Sequence, residues 1–204
     1  MQPIDTYRKT PTQARSQASV DAILEATSQI LQDGAGRSLT TNAIAQRAGV
    51  SIGTLYQYFP DKNAILIALA RKELSIVGAA VQDGLAKAAR NEDKADPLRI
   101  TVRALIKGFH GRHRTRKLLI EALIVNGLTE ELARPVDKAM NDILAAQAQG
   151  TNAVMPEMTP ITAYVLTRAI VGTLRAALME ESAFFGTPEF EDELVKLAHG
   201  LLAA

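Results

Sequence analysis

The segment from residue 39 to residue 62, LTTNAIAQRAGVSIGTLYQYFPDK, constrains the fold more than any other part of the sequence. Gly49 separates two short stretches of helical spacing, and hydroxyl side chains that can cap a helix precede each of them. Ala45 and Ala48 supply the small side chains that two steeply crossing helices need where they touch. The segment therefore predicts two short helices joined by a tight turn, the arrangement of a helix-turn-helix.

Apolar residues in the rest of the chain recur three and four positions apart, the spacing of amphipathic helices rather than of strands. The first such stripe lies on a helix predicted over about 13–32 and consists of Val20, Ile23, Leu24, Thr27, Ile30 and Leu31. Further helices are predicted over about 61–90, 97–109, 116–126, 135–149, 160–181 and 189–202. Together with the two short helices, they predict an all-α chain of about nine helices.

The second short helix is predicted to expose a surface that suits a nucleic acid. Its members are Ser51, Ile52, Gly53, Thr54, Tyr56, Gln57 and Tyr58. Most of them are short or neutral hydrogen-bonding groups, which can approach phosphates and base edges closely. Lys62 follows at the start of the long helix, where its ammonium group and the helix N-terminus both favour an anion. We therefore expect this surface to bind double-stranded DNA.

The same residues resemble the signature of the tetracycline-repressor (TetR) family. In that signature an Ile-Ala pair, Ala-Gly-Val-Ser, Gly-Thr-Leu-Tyr, Tyr-Phe and a Lys recur at this spacing. The matching residues here are Ile44-Ala45, Ala48 to Ser51, Gly53 to Tyr56, Tyr58-Phe59 and Lys62. The resemblance is strong over roughly residues 18–69, and elsewhere it extends only to the number and order of helices.

The resemblance implies a role for each matched position. The residues that would hold phosphates are Thr40, Thr41, Thr54, Tyr56, Tyr58 and Lys62. Those that would face bases are Asn42, Ile52, Gly53 and Gln57. The resemblance also implies a repressor that binds a palindromic operator as a homodimer and is released by a small molecule.

Two domains follow from this resemblance. Residues 1–62 would form a three-helix, helix-turn-helix DNA-binding domain with an N-terminal arm. Residues 63–204 would form a helical effector-binding and dimerisation domain, joined to the first by the long helix. An architectural or partner-responsive DNA-binding protein without a small-molecule pocket is the alternative function.

Two groups of residues near the helix-turn-helix have more than one interpretation. The aromatic residues Tyr56, Tyr58 and Phe59 are either a packed cluster at a helix junction or a divided set. We expect the divided set, in which the phenylalanine is buried and both tyrosines expose their hydroxyls. The basic residues near the N-terminus form either an arm that reaches DNA or a disordered tail; they are Arg8, Lys9 and Arg15.

Residues 161–179 are apolar on two faces of one helix, which requires two burial partners. We expect one partner to be a second subunit, and the alternative is central burial within a single subunit. The candidate dimer residues are Ile161, Val165, Gly172, Ala176 and, from the last helix, Ala198. The candidate walls of an effector cavity are Phe109, Leu123, Met140 and Tyr164, unless these residues fill a solid core. Such walls predict a small apolar or aromatic effector.

Composition narrows the remaining functions. The net charge is +1, but residues 1–72 carry eight basic against five acidic residues, so the positive surplus lies where DNA binding is expected. The chain has no cysteine, and His110 and His113 have no acidic residue at ligand spacing, so we expect neither a metal nor a cofactor. A Gly-rich phosphate loop, an HExxH pair and a nucleophile elbow are absent from the sequence, so we expect no enzyme.

Three further interpretations concern location and charge runs. The N-terminal residues lack the apolar part of a signal peptide and no apolar run suggests a membrane span, so we expect a cytoplasmic protein without a membrane partner. The basic run 112–117 is interpreted as a solvated turn that compensates the end of a helix. The acidic residues that open the last helix are attributed to the helix dipole alone.

Overall fold

The computed structural model describes residues 7–8, 14–34, 39–90, 96–109, 113–150 and 155–203. Within these ranges the chain holds nine α-helices and no strand, which confirms the predicted fold class. The helices are α1 (Ala14–Gln32), α2 (Thr41–Ala48), α3 (Ile52–Tyr58), α4 (Lys62–Ala89), α5 (Pro97–Phe109), α6 (His113–Val125), α7 (Arg134–Ala148), α8 (Pro160–Met179) and α9 (Pro188–Leu202). A short 3₁₀ helix that the sequence did not predict, Thr129–Leu132, precedes α7.

The helices group into two compact units. The amino-terminal unit comprises residues 1–73 and 112–128, and the carboxy-terminal unit comprises residues 74–111 and 129–204. Helix α6 therefore belongs to the same unit as α1, α2 and α3, although residues 74–111 of the other unit intervene along the chain. The domain boundary predicted after residue 62 stays a prediction.

The core of the amino-terminal unit is built on the apolar stripe of α1. All six residues of the predicted stripe are buried, and α1 packs against α2 and α6. Thr27, the polar member of the stripe, donates its hydroxyl to the carbonyl oxygen of Ile23 at 2.7 Å, so its burial leaves no unsatisfied hydroxyl. The helical spacing thus accounts for this core.

Helix α6 begins at His113, three residues earlier than predicted, which corrects the interpretation of the basic run as a solvated turn. Arg116 lies in the first turn of α6, where a cation is disfavoured by the helix dipole. Its guanidinium nitrogen lies 3.4 Å from a carboxylate oxygen of Glu73 on α4, and both side chains are largely buried. This ion pair joins α6 to the part of α4 that lies in the same unit.

Helix α8 supplies much of the core of the carboxy-terminal unit and packs against α5, α7 and α9. Its buried residues are Ala163, Leu166, Thr167, Ile170, Val171, Leu174, Ala177 and Leu178. Thr159 caps the helix by accepting a hydrogen bond from the amide of Thr162 at 3.1 Å, and Pro160 occupies the first helical position. Thr187 and Pro188 begin α9 in the same way.

Within the described residues, α8 is also the one helix that is long and apolar enough to cross a membrane by length and composition. This corrects the expectation that no apolar run approaches that length. Because eight of its residues are buried within the carboxy-terminal unit, α8 has the character of a core helix. It does not indicate a membrane protein.

Helices α5 and α9 are joined by a cluster of ion pairs. Arg103 places its guanidinium nitrogen 2.8 Å from a carboxylate oxygen of Glu191, and Arg99 lies 2.6 Å from Asp192 and 3.1 Å from Glu191. The hydrogen bond from Arg103 lowers the pKa of the Glu191 carboxyl more than its burial raises it. The helix dipole alone is therefore an incomplete account of the acidic start of α9.

Candidate DNA-binding site

Helix α2 begins at a capped threonine that stands at the predicted surface. The backbone of Thr40 is extended, and its hydroxyl oxygen accepts a hydrogen bond from the amide of Ala43 at 3.1 Å. This bond satisfies one of the amides that the first turn of a helix leaves unpaired. Thr40 and Asn42 are exposed and Thr41 is half-buried, so the start of α2 presents hydroxyl and amide groups.

Gly49 makes the turn between the two short helices. Its φ of 68° lies in the left-handed region, and the amide of the following Val50 donates to the carbonyl oxygen of Ala45 at 3.0 Å. A Cβ atom at Gly49 would meet nothing within 4 Å, so the turn requires glycine for its backbone conformation rather than for space. The predicted helix-turn-helix is formed by this turn.

Helix α3 starts three residues after Gly49 with a second hydroxyl cap. The side-chain oxygen of Ser51 accepts from the amide of Thr54 at 3.0 Å and lies 2.9 Å from the Thr54 hydroxyl. The two hydroxyls therefore hold each other in one arrangement at the start of α3. A group that approaches this end of the helix meets a fixed pair of hydrogen-bonding oxygens.

The outer face of α3 is open to solvent and low in relief. Ile52 and Tyr56 are 39% and 40% exposed, and Gly53 and Gln57 are exposed as well. A Cβ atom at Gly53 would touch only the Ser51 hydroxyl, at 3.7 Å, so the glycine leaves this face without a side chain. Another molecule can therefore approach the α3 backbone closely at this point.

A hydrogen bond across the turn fixes the first helix to the second. The hydroxyls of Thr41 on α2 and Tyr56 on α3 lie 3.1 Å apart, and Tyr56 remains partly exposed. The contact holds the phenol in one rotamer while leaving its oxygen at the surface. Sequence spacing did not predict this contact, because the two residues are 15 positions apart.

Tyr58 does not share the exposed face, although it was expected to stand open to solvent as Tyr56 does. Only 7% of its surface is exposed, and the adjacent Phe59 is completely buried. The reason is helical geometry, because Tyr58 lies three positions after the buried Leu55 and so on the same side of α3. Of the divided aromatic set, the placement of Phe59 and Tyr56 is as expected and that of Tyr58 is not.

Lys62 is the first residue of α4 and is exposed, as the spacing predicted. The carboxylate of the preceding Asp61 accepts a hydrogen bond from the amide of Ala64 at 2.9 Å and caps the helix. A carboxylate at this position already interacts with the positive end of the helix dipole. The attraction of an anion to this end of α4 therefore rests on the Lys62 ammonium group rather than on the helix N-terminus.

The candidate effector residues are divided between the two units. Leu123 is buried in the amino-terminal unit, and Met140 is buried in the carboxy-terminal unit. Tyr164 is 60% exposed, with the guanidinium carbon of Arg168 4.7 Å from its ring centroid. The side chain of Phe109 lies outside the described residues. The four positions remain a prediction.

A cleft of about 420 Å³ lies in the carboxy-terminal unit, and its lining includes none of the four candidate effector residues. Its lining includes Thr129, Glu130, Arg168, Gly172 and Arg175. Leu132, Ala133 and Val171 complete the lining, so the wall combines charged and apolar side chains, whereas the predicted effector cavity was apolar. Arg168 is held there by Asp137, whose two carboxylate oxygens lie 2.7 and 3.0 Å from its guanidinium nitrogens.

The candidate dimer residues of α8 lie on one open face of that helix. Ile161 is 76% exposed and Val165 is 44% exposed, Ala176 is exposed, and a Cβ atom at Gly172 would meet open space. These residues are spaced four or seven positions apart, so they line one side of α8. Ala198 on α9 is fully buried and offers no surface, whereas its neighbour Leu197 is 43% exposed.

The comparisons with known proteins agree with this geometry. Residues 23–69 match the family model described as bacterial regulatory proteins, tetR family. The HTH-type transcriptional repressor KstR of Mycobacterium tuberculosis is 40% identical over 57 residues, which are 28% of this chain and 26% of that protein. The match to this curated relative thus spans about a quarter of its length.

Two solved structures share the fold over nearly the whole chain. A putative TetR-family regulator from Mesorhizobium loti superposes with a TM-score of 0.68 at 16% identity, covering 94% of this chain and 96% of that one. The multidrug binding protein EbrR complexed with imidazole gives a TM-score of 0.60 at 19% identity, covering 93% and 96%. At these identities the superpositions show the fold alone.

Proposed function

From the match of residues 23–69 to the tetR family model, we propose that this chain is a TetR-family, sequence-specific DNA-binding transcriptional regulator acting as a repressor. The observation that carries the proposal is the exposed face of α3 beside the capped start of α2. There, hydroxyl, amide and methyl groups stand together on two short helices that a single glycine turn connects. A face of this size and chemistry fits the major groove, where base edges present hydrogen-bond partners and thymine methyl groups.

The residues of this face divide by what they offer to DNA. Thr40, Thr41, Thr54, Tyr56 and Lys62 carry hydroxyl or ammonium groups and are assigned to phosphates, which fix the register of the helix. Asn42, Ile52, Gly53 and Gln57 are assigned to base edges. Tyr58 is withdrawn from the phosphate set because its side chain is buried. Ser51 is assigned to holding Thr54 in position.

The partner in solution is a second copy of the chain, docked on the open face of α8 and on Leu197 of α9. Ile161 and Val165 expose apolar surface there, and Gly172 leaves room for a close backbone approach. A twofold dimer presents two copies of α3, so the operator is an inverted repeat. We place this dimer in the cytoplasm, where its operator is accessible.

The regulatory signal is a small molecule bound by the carboxy-terminal unit. EbrR, which shares this fold, is a multidrug binding protein and holds imidazole in its structure. The predicted apolar lining of Met140 and Tyr164 favours an apolar or aromatic molecule. Binding of such a molecule releases the protein from its operator.

The test is selection of bound sequences from a random double-stranded DNA pool by the full chain, followed by a salt titration on the enriched sequence. Lys62→Ala should weaken binding to all sequences alike and lower the salt slope by about 1, because it removes one phosphate contact. Gln57→Ala and Asn42→Ala should change the preferred base at one position. Val125→Ala, an 84% exposed residue of the same unit, is the control and should change neither.

Each outcome bears on a separate part of the proposal. No enriched sequence from folded protein contradicts DNA-binding regulation as a whole. Enrichment of an isolated half-site contradicts the dimer. Operator binding that no apolar or aromatic compound releases contradicts the small-molecule signal and favours the architectural alternative.

A further inference from the structure

A short N-terminal segment is attached to the end of α3. The backbone amide of Arg8 donates a hydrogen bond to the carbonyl oxygen of Tyr58, the last residue of α3, at 2.8 Å. The ring of Tyr7 lies 5.1 Å from the ring of Phe59, centroid to centroid, at an interplanar angle of 41°. Two independent contacts therefore fix residues 7 and 8 to the helix that carries the DNA-binding face.

Tyr7 is suited to be the anchor of this segment. It is half-buried, and burial together with the nearby Asp21 raises the pKa of its phenol, so the ring stays neutral. Lys72 on α4 lies 2.8 Å from the Asp21 carboxylate on α1. The anchor thus rests beside α1 and α4 as well as on Phe59.

Arg8, by contrast, presents its side chain to solvent. The carboxylates of Asp21 and Asp61 have other partners, because Asp21 pairs with Lys72 and Asp61 caps α4. Among the described residues, no ion pair of the Arg8 guanidinium is found. Because the Arg8 backbone is fixed at the end of α3, its exposed guanidinium is within reach of the sugar-phosphate backbone that borders the groove proposed for α3.

We propose that Arg8 is a further DNA contact, which holds a backbone phosphate at the end of α3, and that Tyr7 is the residue that positions it. The inference rests on the proposed function, and for Arg8 it adopts the interpretation of an arm that reaches DNA. Lys9 lies outside the described residues, and Arg15 is an exposed residue of α1 with no such attachment. Tyr58 supports this contact through its backbone carbonyl oxygen, which accepts the hydrogen bond from the Arg8 amide.

The experiment measures the affinity of the full chain for its selected operator and for a random duplex between 50 and 300 mM salt, a range chosen so that screening varies strongly. Arg8→Gln should weaken binding to both duplexes by a similar factor, about fivefold to tenfold near 0.1 M salt, and should lower the salt slope by about 1. Lys107→Gln is the matched control, because it removes one positive charge from an exposed position of α5. Its slope should equal that of the wild type.

The anchor is tested by a second pair of variants. Tyr7→Ala should reproduce the loss seen for Arg8→Gln, and the double variant should lose no more than either single variant. Tyr7→Phe keeps the ring contact and should bind as the wild type does. Circular dichroism on each variant separates loss of the contact from loss of the fold.

Three results would overturn the inference. An Arg8→Gln variant with unchanged affinity and slope shows that Arg8 makes no contact. A variant that changes the preferred base indicates readout of a base edge instead of a phosphate. Losses for Tyr7→Ala and Arg8→Gln that add up show that Tyr7 does not act through Arg8. A wild type that enriches no operator refutes the proposed function instead, and Arg8 is then judged on the random duplex alone.

Discussion

The exposed face of α2 and α3 and the exposed face of α8 differ in how closely they define the chemistry of a binding partner. The face of α2 and α3 carries polar groups that are already held by caps and cross-turn hydrogen bonds, such as Ser51 to Thr54 and Thr41 to Tyr56. The face of α8 carries Ile161, Tyr164 and Val165, which make no comparable fixed arrangement apart from the stacking of Arg168 on Tyr164.

The two faces differ because hydrogen bonds are directional and apolar contacts are not. Hydrogen-bonding groups have geometry, so a fixed set of them identifies the chemistry of the partner. Apolar surface has no direction, so an exposed set indicates only that burial would be favourable. A sequence therefore predicts a polar binding face more completely than an apolar one.

The largest expected effect contrasts two phenylalanines, one from each unit. Phe59→Ala should lower the free energy of unfolding by about 3–5 kcal/mol, because a fully buried ring leaves a cavity. Phe184→Ala should change it by less than about 0.5 kcal/mol, since that ring is 71% exposed. Urea unfolding at two protein concentrations measures both. A large, concentration-dependent loss for Phe184→Ala would instead place that ring in a contact between copies.

The second effect concerns the turn that creates the polar face. Gly49→Ala should cost about 1–2 kcal/mol, because the left-handed backbone strains any residue with a Cβ atom. Gly53→Ala is the matched control within the same motif. Since Gly53 lies in a helix with only an ordinary contact nearby, alanine there should raise stability by up to about 1 kcal/mol and weaken DNA binding. Equal stability of the two variants would contradict the assignment of the turn.

The third effect concerns charge in the carboxy-terminal unit. Glu191→Gln should cost about 1 kcal/mol at pH 7, because it removes the carboxylate that accepts hydrogen bonds from Arg99 and Arg103. The pKa of Glu191 is lowered in the folded chain, so its contribution is present above the unfolded pKa and is lost as pH falls through the folded one. Wild type and variant should therefore converge in stability in acid, below about pH 4, as followed by thermal unfolding. A constant difference down to pH 3 would argue against this ion pair.

The smallest effect tests the apolar face itself. Gly172→Ala adds a methyl group in open space on α8, so at high dilution it should raise the free energy of unfolding by about 0.5–1 kcal/mol. If a second copy packs there, the same methyl group should weaken the dimer. Sedimentation over a concentration series, beside unfolding measurements, separates the two effects. An unchanged dimer dissociation constant would remove Gly172 from the interface.

Local signals allowed the helices to be predicted from the sequence. Thr40 and Ser51 as caps, Gly49 as the turn, and Pro97, Pro160 and Pro188 at helix starts all act within a few residues of their own position. The same holds for the buried stripe of α1, which depends only on spacing.

What the sequence did not predict depends on residues distant along the chain. Glu191 meets Arg99 and Arg103 across about 90 positions, and Arg116 meets Glu73 across 43. The burial of Tyr58 was not predicted because tyrosine occurs both in cores and at surfaces, and only the packing of the folded chain decides which environment it takes. Ala198 was misplaced for a related reason, since a small residue fits a helix contact inside the unit as well as one between copies.

Because α6 belongs to the amino-terminal unit, that unit cannot be completed during synthesis until residue 128 has been translated. At roughly 5–20 residues per second, synthesis of the stretch from residue 73 to residue 128 occupies a few seconds on the ribosome. During that interval α1 and α2 have already been made, but α6, which also packs against α1, has not. The amino-terminal unit therefore reaches its complete form only after residues 74–111 of the other unit have been translated, and a nascent chain that stalls early leaves the α6-binding side of α1 uncovered.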